Sequence, residues 1–412
     1  MNGRNFAKTI KNFLDSSTGP GILLIGCVII SLILANSPLR TAFESLLNLN
    51  IGYDIGSVHL KYPVLLWIND GIMVIFFLLV GLEIKRELID GELASPKQAA
   101  LPILGALGGV MVPALIFTLF NFGRETSVGW ATPMATDIAF ALAIVTLLGD
   151  RVPLSLKVFL AALAIVDDLM AIIVIALFYA SELHINYLAY AGLIFATLLI
   201  FNRIGIKNLV FYLVPGLIMW YFIHHSGIHA TIAGVLTAFA IPVKPGKGKH
   251  SPLETLAHAL SKPVNLVIMP IFALANTNIT FVDGMVGGLA TPLGLGIVLG
   301  LFLGKPLGIF SISWLSIKMG ICTKPHKAQW SHLWGVGMLA GIGFTMSIFI
   351  AVLSFSSSQL LLAEAKFAIL TASLMSAIAG ALALTLVAKR KKAGEYRRIV
   401  NVKADEQPVS TH

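Results

Sequence analysis

Stretches of about 20 apolar residues, separated by short polar joints, fill almost the whole of this 412-residue chain. Such a chain has few ways to fold. In hydrocarbon every backbone N–H and C=O must find its partner inside the protein, which leaves helices or a closed barrel. A barrel needs strands of about ten residues that alternate apolar and polar. The run from Val158 to Phe178 does not alternate. The composition, 57% hydrophobic and 12% charged with a mean hydropathy of +0.87, fits the helical solution and excludes an ordinary soluble domain.

The hydrophobic pattern predicts spans at 20 to 36, 63 to 84, 99 to 121, 129 to 148, 154 to 179, 186 to 202, 208 to 223, 228 to 242, 252 to 275, 293 to 316, 331 to 355 and 361 to 388. The fold expected is therefore all-α and polytopic, with about twelve transmembrane helices. Residues 1 to 36 resemble a signal peptide, with Arg4, Lys8 and Lys11 ahead of an apolar stretch, but no A-x-A site follows, and the segment reads as a retained first helix. Residues 20–388 form one membrane domain, flanked by an N-terminal segment 1–19 and a basic tail 389–412. The joint at 37–62 alternates weakly around Gly52 and Gly56, as either a hairpin or an irregular surface loop does.

Sorting the joints by side puts 24 of the 29 Lys and Arg on the side of both termini and four, Arg40, Lys61, Arg124 and Lys366, on the other. The positive-inside rule then places both termini in the cytoplasm. The net charge of +9 is thereby topogenic rather than a nucleic-acid footprint. The tail from Lys389 can also meet anionic lipid. Cys27 and Cys322 lie far apart and make neither a disulfide framework nor a CxxC site.

Lys305 is the one Lys or Arg that this sorting assigns to neither side and leaves inside the membrane. It faces a larger anomaly: LAIVDDLMAII, with Asp167 and Asp168 at the centre of the fifth span. Each acid at that depth costs about 2.5–3.5 kcal/mol on insertion scales. Neighbours on a helix point about 100° apart, so one acid can line a cavity while the other meets a partner, for which Lys305 is the candidate. Two spans are also interrupted. WATPMATDIAF breaks at Pro133 and GVGMLAGIGFTMS at Gly341 and Gly343; seven positions apart in span order, they cross the membrane in opposite directions. Paired interruptions of this kind point to an inverted-repeat transporter with a midplane site. Asp137, beside Thr132 and Thr136, can cap or neutralise the N-terminus of the second half-helix.

Carboxylates, carbonyls and water suit hard cations, and no His or Cys cluster suggests a transition metal. A protonated carboxyl cannot hold a cation, so protons compete with Na+ or Li+ for one site. Two acids and a lysine can release more than one proton per cation, which makes such an exchange electrogenic. No organic cofactor is expected.

The segments LLWINDGIMVIFFLLVGLEIKREL, ATDIAFALAIVTLLGDRVPLSLKVFLAALAIVDDL, SGIHATIAGV, GKPLGI and GIGFTMSIFI resemble, in order from about Ser16 to Ala388, the bacterial Na+/H+ antiporter NhaA family. The resemblance implies an antiporter of the bacterial cytoplasmic (inner) membrane, not an enzyme, that uses the proton gradient to expel Na+ or Li+ and so serves salt tolerance and pH homeostasis. It implies Asp168 as principal cation ligand, Asp167 as the acid paired with Lys305, and Asp137 with Thr136 in the unwound segment. It also implies a homodimer through the loop near Gly52 and activation at alkaline pH, with Glu83, Arg86 and Glu87 in GLEIKREL and His229 matching pH-response residues. From the residues alone these four are interfacial charges and a packing histidine. Where the family has an acid just before a histidine in the ninth span, this chain has Ala257 before His258, which puts the pH set point in question.

Other classes fit less well. An intramembrane aspartyl protease needs acids from two helices and a GxGD pattern that is absent. A channel does not account for paired breaks or for coupling of two gradients. A bile-acid-type symporter needs a large organic site.

Overall fold

The structure is a computed structural model that describes residues 19–55, 58–180, 182–244, 251–281, 285–326 and 328–405, with side chains through residue 389 save at 55 and 58. Arg4, Lys8, Lys11, Gly56, Lys247, Lys249, Lys327 and the end of the tail from 406 lie outside the described residues.

Among the described residues the chain is almost entirely helical, as the hydrophobic pattern predicts. In order it forms α1 (Gly19–Ala35), α2 (Arg40–Leu47), four two-residue strands β1 to β4 between Asn50 and Pro63, α3 (Val64–Asp90), α4 (Pro96–Asn121), α5 (Ile138–Leu147), α6 (Leu154–Phe178), α7 (Ile185–Ile204), α8 (Val210–His225) and α9 (Ile232–Ala240). Then follow α10 (Pro252–Asn276), α11 (Met285–Gly288), α12 (Pro292–Lys318), α13 (Trp330–Ala340), α14 (Phe344–Ser354) and α15 (Gln359–Asp405). Among the described residues eight helices are long and apolar enough to cross a membrane, or up to ten with two bent pairs counted. The predicted segments at 208 and 228 form α8 and α9, of 16 and 9 residues. Lys85 Nζ, on α3, donates to the carbonyls of Phe239 (2.7 Å) and Ile241, closing the free C-terminal end of the short α9.

The joint after α1 is more ordered than its sequence suggests. The chain bends 114° into α2, whose eight residues bury Phe43 and Leu47 and expose polar neighbours, a pattern too short and too mixed to register as a span. A hairpin follows, with β1 antiparallel to β4 (Ile51 opposite Tyr62) and β2 to β3 (Asp54 opposite His59). Gly52 is obligatory there: its φ is +124°, and a Cβ would lie 1.8 Å from the Leu60 carbonyl oxygen.

Two spans are broken where the sequence predicts. Short 3-10 turns at Glu125–Gly129 and Thr132–Met134 lead through non-helical residues 135–137 into α5, and Pro133, near the start of the second turn, has no N–H with which to extend a helix across the gap. The second break, at Gly341–Gly343, bends α13 against α14 by 45°. Three further spans carry a π turn: Trp67–Ile72 in α3, Val264–Ile268 in α10 and Gly300–Gly304 in α12. The last two run straight into Met269–Pro270 and Lys305–Pro306. A proline clashes with the carbonyl four residues back, and a wider turn relieves that clash.

Lys366, sorted with the joint before the last span, lies two turns inside α15 and is only 8% exposed, a buried lysine that the sorting by joints does not announce.

The closest approach that sets the bundle is between α4 and α12. A Cβ on Gly108 would lie 2.2 Å from Gly308 O, and one on Gly308 would lie 2.0 Å from Gly108 O. This contact fixes the height and rotation of α12, and hence of Lys305 one turn before Gly308. Gly108→Ala is expected to lower the thermal midpoint of the purified protein, at a cost of about 1–3 kcal/mol for overpacking. Gly192→Ala, at an open position on α7 with nothing within 4 Å of the added carbon, is expected to leave it unchanged or raise it. Equal midpoints for the two variants would show that the contact does not constrain the bundle.

Candidate functional site

Asp167 and Asp168 are successive residues at the middle of α6, and the helix turns them to different surroundings. Asp167 is fully buried. Its Oδ2 accepts from Lys305 Nζ and lies 2.6 Å from Thr136 Oγ1. Lys305 is also fully buried and donates to Thr136 Oγ1 at 2.7 Å. Thr136 Oγ1 lies 2.8 Å from the Ala340 carbonyl as well, and its single proton serves one of these acceptors at a time. One ammonium, one carboxylate and one hydroxyl thus tie α12, α6 and the first break together.

Among the described residues Asp168 has no ion pair. It faces a cavity of about 220 Å³ lined also by Glu83, Thr136, Asp137, Asn265 and Thr345. Apolar walls come from Phe76, Leu79, Leu142 and Met269. Among the described residues no three His, Cys, Asp or Glu side chains converge as a metal site. A cation held here would draw its oxygens from single carboxylates, hydroxyls, carbonyls and water.

Asp137 joins the two breaks. Its Oδ1 accepts from Phe140 N (3.1 Å), capping α5, and its Oδ2 accepts from Thr345 N (3.1 Å) and Thr345 Oγ1 at the start of α14. Its own N–H donates to the Ile342 carbonyl at 2.6 Å. Two helix N-termini, each with unpaired donors and partial positive charge, therefore share one carboxylate. Further along, a Cβ on Gly129 would meet the Phe355 ring at 2.4 Å, so residues 129 to 137 and 342 to 355 run antiparallel.

The remaining predicted residues separate into two groups. Glu83 is on the cavity, with Arg86 and Glu87 a turn further along α3, 3.3 Å apart. Glu87 also accepts from Glu92 N at 3.0 Å. His229 is elsewhere. It bonds Asp70 (3.2 Å), which His224 also contacts (3.3 Å), and with Asn69, Asp70, Trp130 and Tyr179 it lines a second cavity of about 610 Å³. Asp70 and Glu83 are 13 residues apart on α3, roughly 20 Å at helical rise, so the two cavities open toward opposite ends of that helix. Packed phenylalanines intervene: Phe349 touches Phe77 and Phe272 at centroid distances of 5.4 and 6.1 Å. His258 is exposed on α10 and lines neither cavity; Ala257 beside it is buried.

The sequence reading misses Thr345, Asn265, Asp70 and His224. Thr345 had a signal, since it follows the glycine break as Thr136 follows the proline break. Asn265 and Asp70 lie in π turns that no spacing rule announces, and His224 acquires meaning only from Asp70 opposite.

With this geometry in hand, the comparisons with known proteins are specific. The family model described as Na+/H+ antiporter 1 matches residues 11–384. The chain is 60% identical over 386 residues to Na(+)/H(+) antiporter NhaA 2 of Flavobacterium johnsoniae, covering 93% of this chain and 94% of that protein. It is 48% identical over 388 residues to Na(+)/H(+) antiporter NhaA of Brucella ovis (93% and 96%), and 49% identical over 389 residues to Na(+)/H(+) antiporter NhaA 1 of Brucella anthropi (93% and 96%). A match over residues 11–384, a range that contains both breaks and Asp167, Asp168 and Lys305, places this multi-pass membrane protein in the Na+/H+ antiporter 1 family.

Proposed function

We propose that the protein exchanges cytoplasmic Na+, or Li+, for external protons by alternating access, with Asp168 as the carboxylate that both ions contend for. The observation that carries this is the inequality of the two acids: Asp167 is committed to Lys305, whereas Asp168 faces the cavity unpaired. The family match supports Na+ and H+ as the exchanged ions. The face bearing Arg86, Arg151, Arg203 and Lys318 is taken as cytoplasmic, so the smaller cavity is the inner entrance and the larger one the outer.

A cation entering from the cytoplasm meets Asp168 with the oxygens of Thr136 and Thr345 within the same lining. It binds only when Asp168 has lost its proton. Charge brought up to Asp168 also weakens the hold of Asp167 on Lys305, so the pair is a second source of a released proton, and two protons per cation make the exchange electrogenic. Asp137 keeps both half-helix ends neutral while the site fills and empties. No cofactor enters the scheme. Activation at alkaline pH is assigned to Glu83, Arg86 and Glu87 at the inner mouth, with His229 and His258 as further members of the response. The hairpin at Gly52 is assigned to a homodimer contact, and the basic tail to the cytoplasmic lipid surface, in the bacterial inner membrane.

Asp168→Asn is expected to abolish Na+-driven collapse of a pH gradient in everted vesicles while the protein still inserts; retained exchange in this variant would end the assignment. Lys305→Arg keeps the cation but changes its shape, and is expected to retain more exchange than Lys305→Ala; equal loss in the two would remove charge pairing as its role. Because bound Na+ displaces protons, its half-saturating concentration should rise about tenfold per pH unit of acidification for each proton displaced. A half-saturation independent of pH would refute the competition.

A further inference from the structure

Among the described residues seven buried oxygens have no hydrogen-bond partner: Thr132 Oγ1, Asp167 Oδ1, Asp168 Oδ1, Asn278 Oδ1, Ser313 Oγ, Ser347 Oγ and Ser376 Oγ. The two carboxylates belong to the site already described. An orphaned hydroxyl forfeits about 1–3 kcal/mol, and on a helix the remedy is close at hand, a bond to the carbonyl one turn back. Thr118, Thr146, Ser354 and Thr371 take that remedy, at 2.7 to 2.9 Å. Thr132 and Ser347 do not, though both are fully buried.

Their placement is symmetrical. Thr132 precedes Thr136 by four residues on the first broken span, and Ser347 follows Gly343 by four residues on the second. Neither lines the inner cavity. Each is two residues from a lining residue of the larger outer cavity, Trp130 in one case and Phe349 in the other. The antiparallel run of the two segments, with Asp137 against Thr345 at one end and Gly129 against Phe355 at the other, puts both residues at heights along the paired segments between the acids and that cavity. Ser347 Oγ sits against Gly343, as Ser313 does against Gly105 and Ser376 against Gly341, but Ser313, Ser376 and Asn278 lie off the two paired segments.

We propose that the hydroxyls of Thr132 and Ser347 are the outer-side ligands of the transported cation, engaged when the site opens to the external cavity and idle when it opens to the cytoplasm. The proposal rests on the antiport reading above. Hard alkali ions take hydroxyl oxygens readily, and a neutral hydroxyl does not titrate over the working range. These two residues therefore tune cation affinity on one face without altering the proton competition, which stays with the carboxylates.

The test is the half-saturating Na+ concentration measured on each face separately: everted vesicles present the cytoplasmic face, right-side-out vesicles loaded with a pH dye the external one. For Thr132→Val and Ser347→Ala the external value is expected to rise about tenfold, a loss of about 1.4 kcal/mol, with its pH slope unchanged. The cytoplasmic value should stay within about twofold, and Thr132→Ser should restore the external value. If T132V is not produced, S347A, which removes one oxygen, decides alone. Equal shifts on both faces, or none on either, would overturn the proposal while leaving antiport intact. A wild-type protein without Na+-coupled proton movement would instead remove the reading on which it rests.

Discussion

Lys305 can lie in the middle of a bilayer because Asp167 and Thr136 accept its protons there. An unpaired ammonium at that depth would cost several kcal/mol, so the three side chains must meet for the bundle to close. That requirement fixes more than a contact. It sets the depth of α12 against α6, and it demands that the chain near Thr136 be free of helix so that its hydroxyl can reach inward. The Gly108 and Gly308 crossing holds α12 at the right rotation, and the π turn just before Lys305 lets the helix continue past Pro306.

Breaking two spans liberates helix ends inside the membrane, where nothing but protein can satisfy them. Asp137 meets donors from both ends at once, and the Ile342 carbonyl takes its N–H in return. The same carboxylate faces the cavity beside Asp168. Structural capping and ion handling are thus done by neighbouring groups, and a change in the charge of one alters the field at the other. The unequal standing of Asp167 and Asp168 is the sharpest expression of this arrangement: adjacent in sequence, one is a strut and the other an open valence.

Much of this is legible in the residues. Hydrophobic runs locate the spans to within a few positions, because the cost of burying backbone leaves helix as the only option. Pro133 and the Gly341–Gly343 pair announce the breaks through backbone chemistry alone, and the depth of Lys305 follows from counting residues on either side. Other features depend on helix rotation, which spacing does not encode. Which acid turns toward Lys305, the reach of Thr345 to Asp137, and the clasp of Asp70 by His224 and His229 are products of packing between segments far apart in sequence. Lys366 escapes for a related reason: a single cation near a helix end looks the same in sequence whether it points to water or to protein. The π turns leave no periodic trace, although the prolines after two of them are a clue in hindsight.

The widened turns at Val264–Ile268 and Gly300–Gly304 have a mechanical corollary. A π turn carries one residue of slack relative to an α turn, and shifting it along the chain rotates the residues it passes by about 100° without unzipping the helix. In α12 that slack adjoins Lys305, with the Gly308 crossing as a fixed bearing one turn away. Torsional compliance is therefore concentrated at the depth of the buried charges, and the remainder of the rod stays stiff.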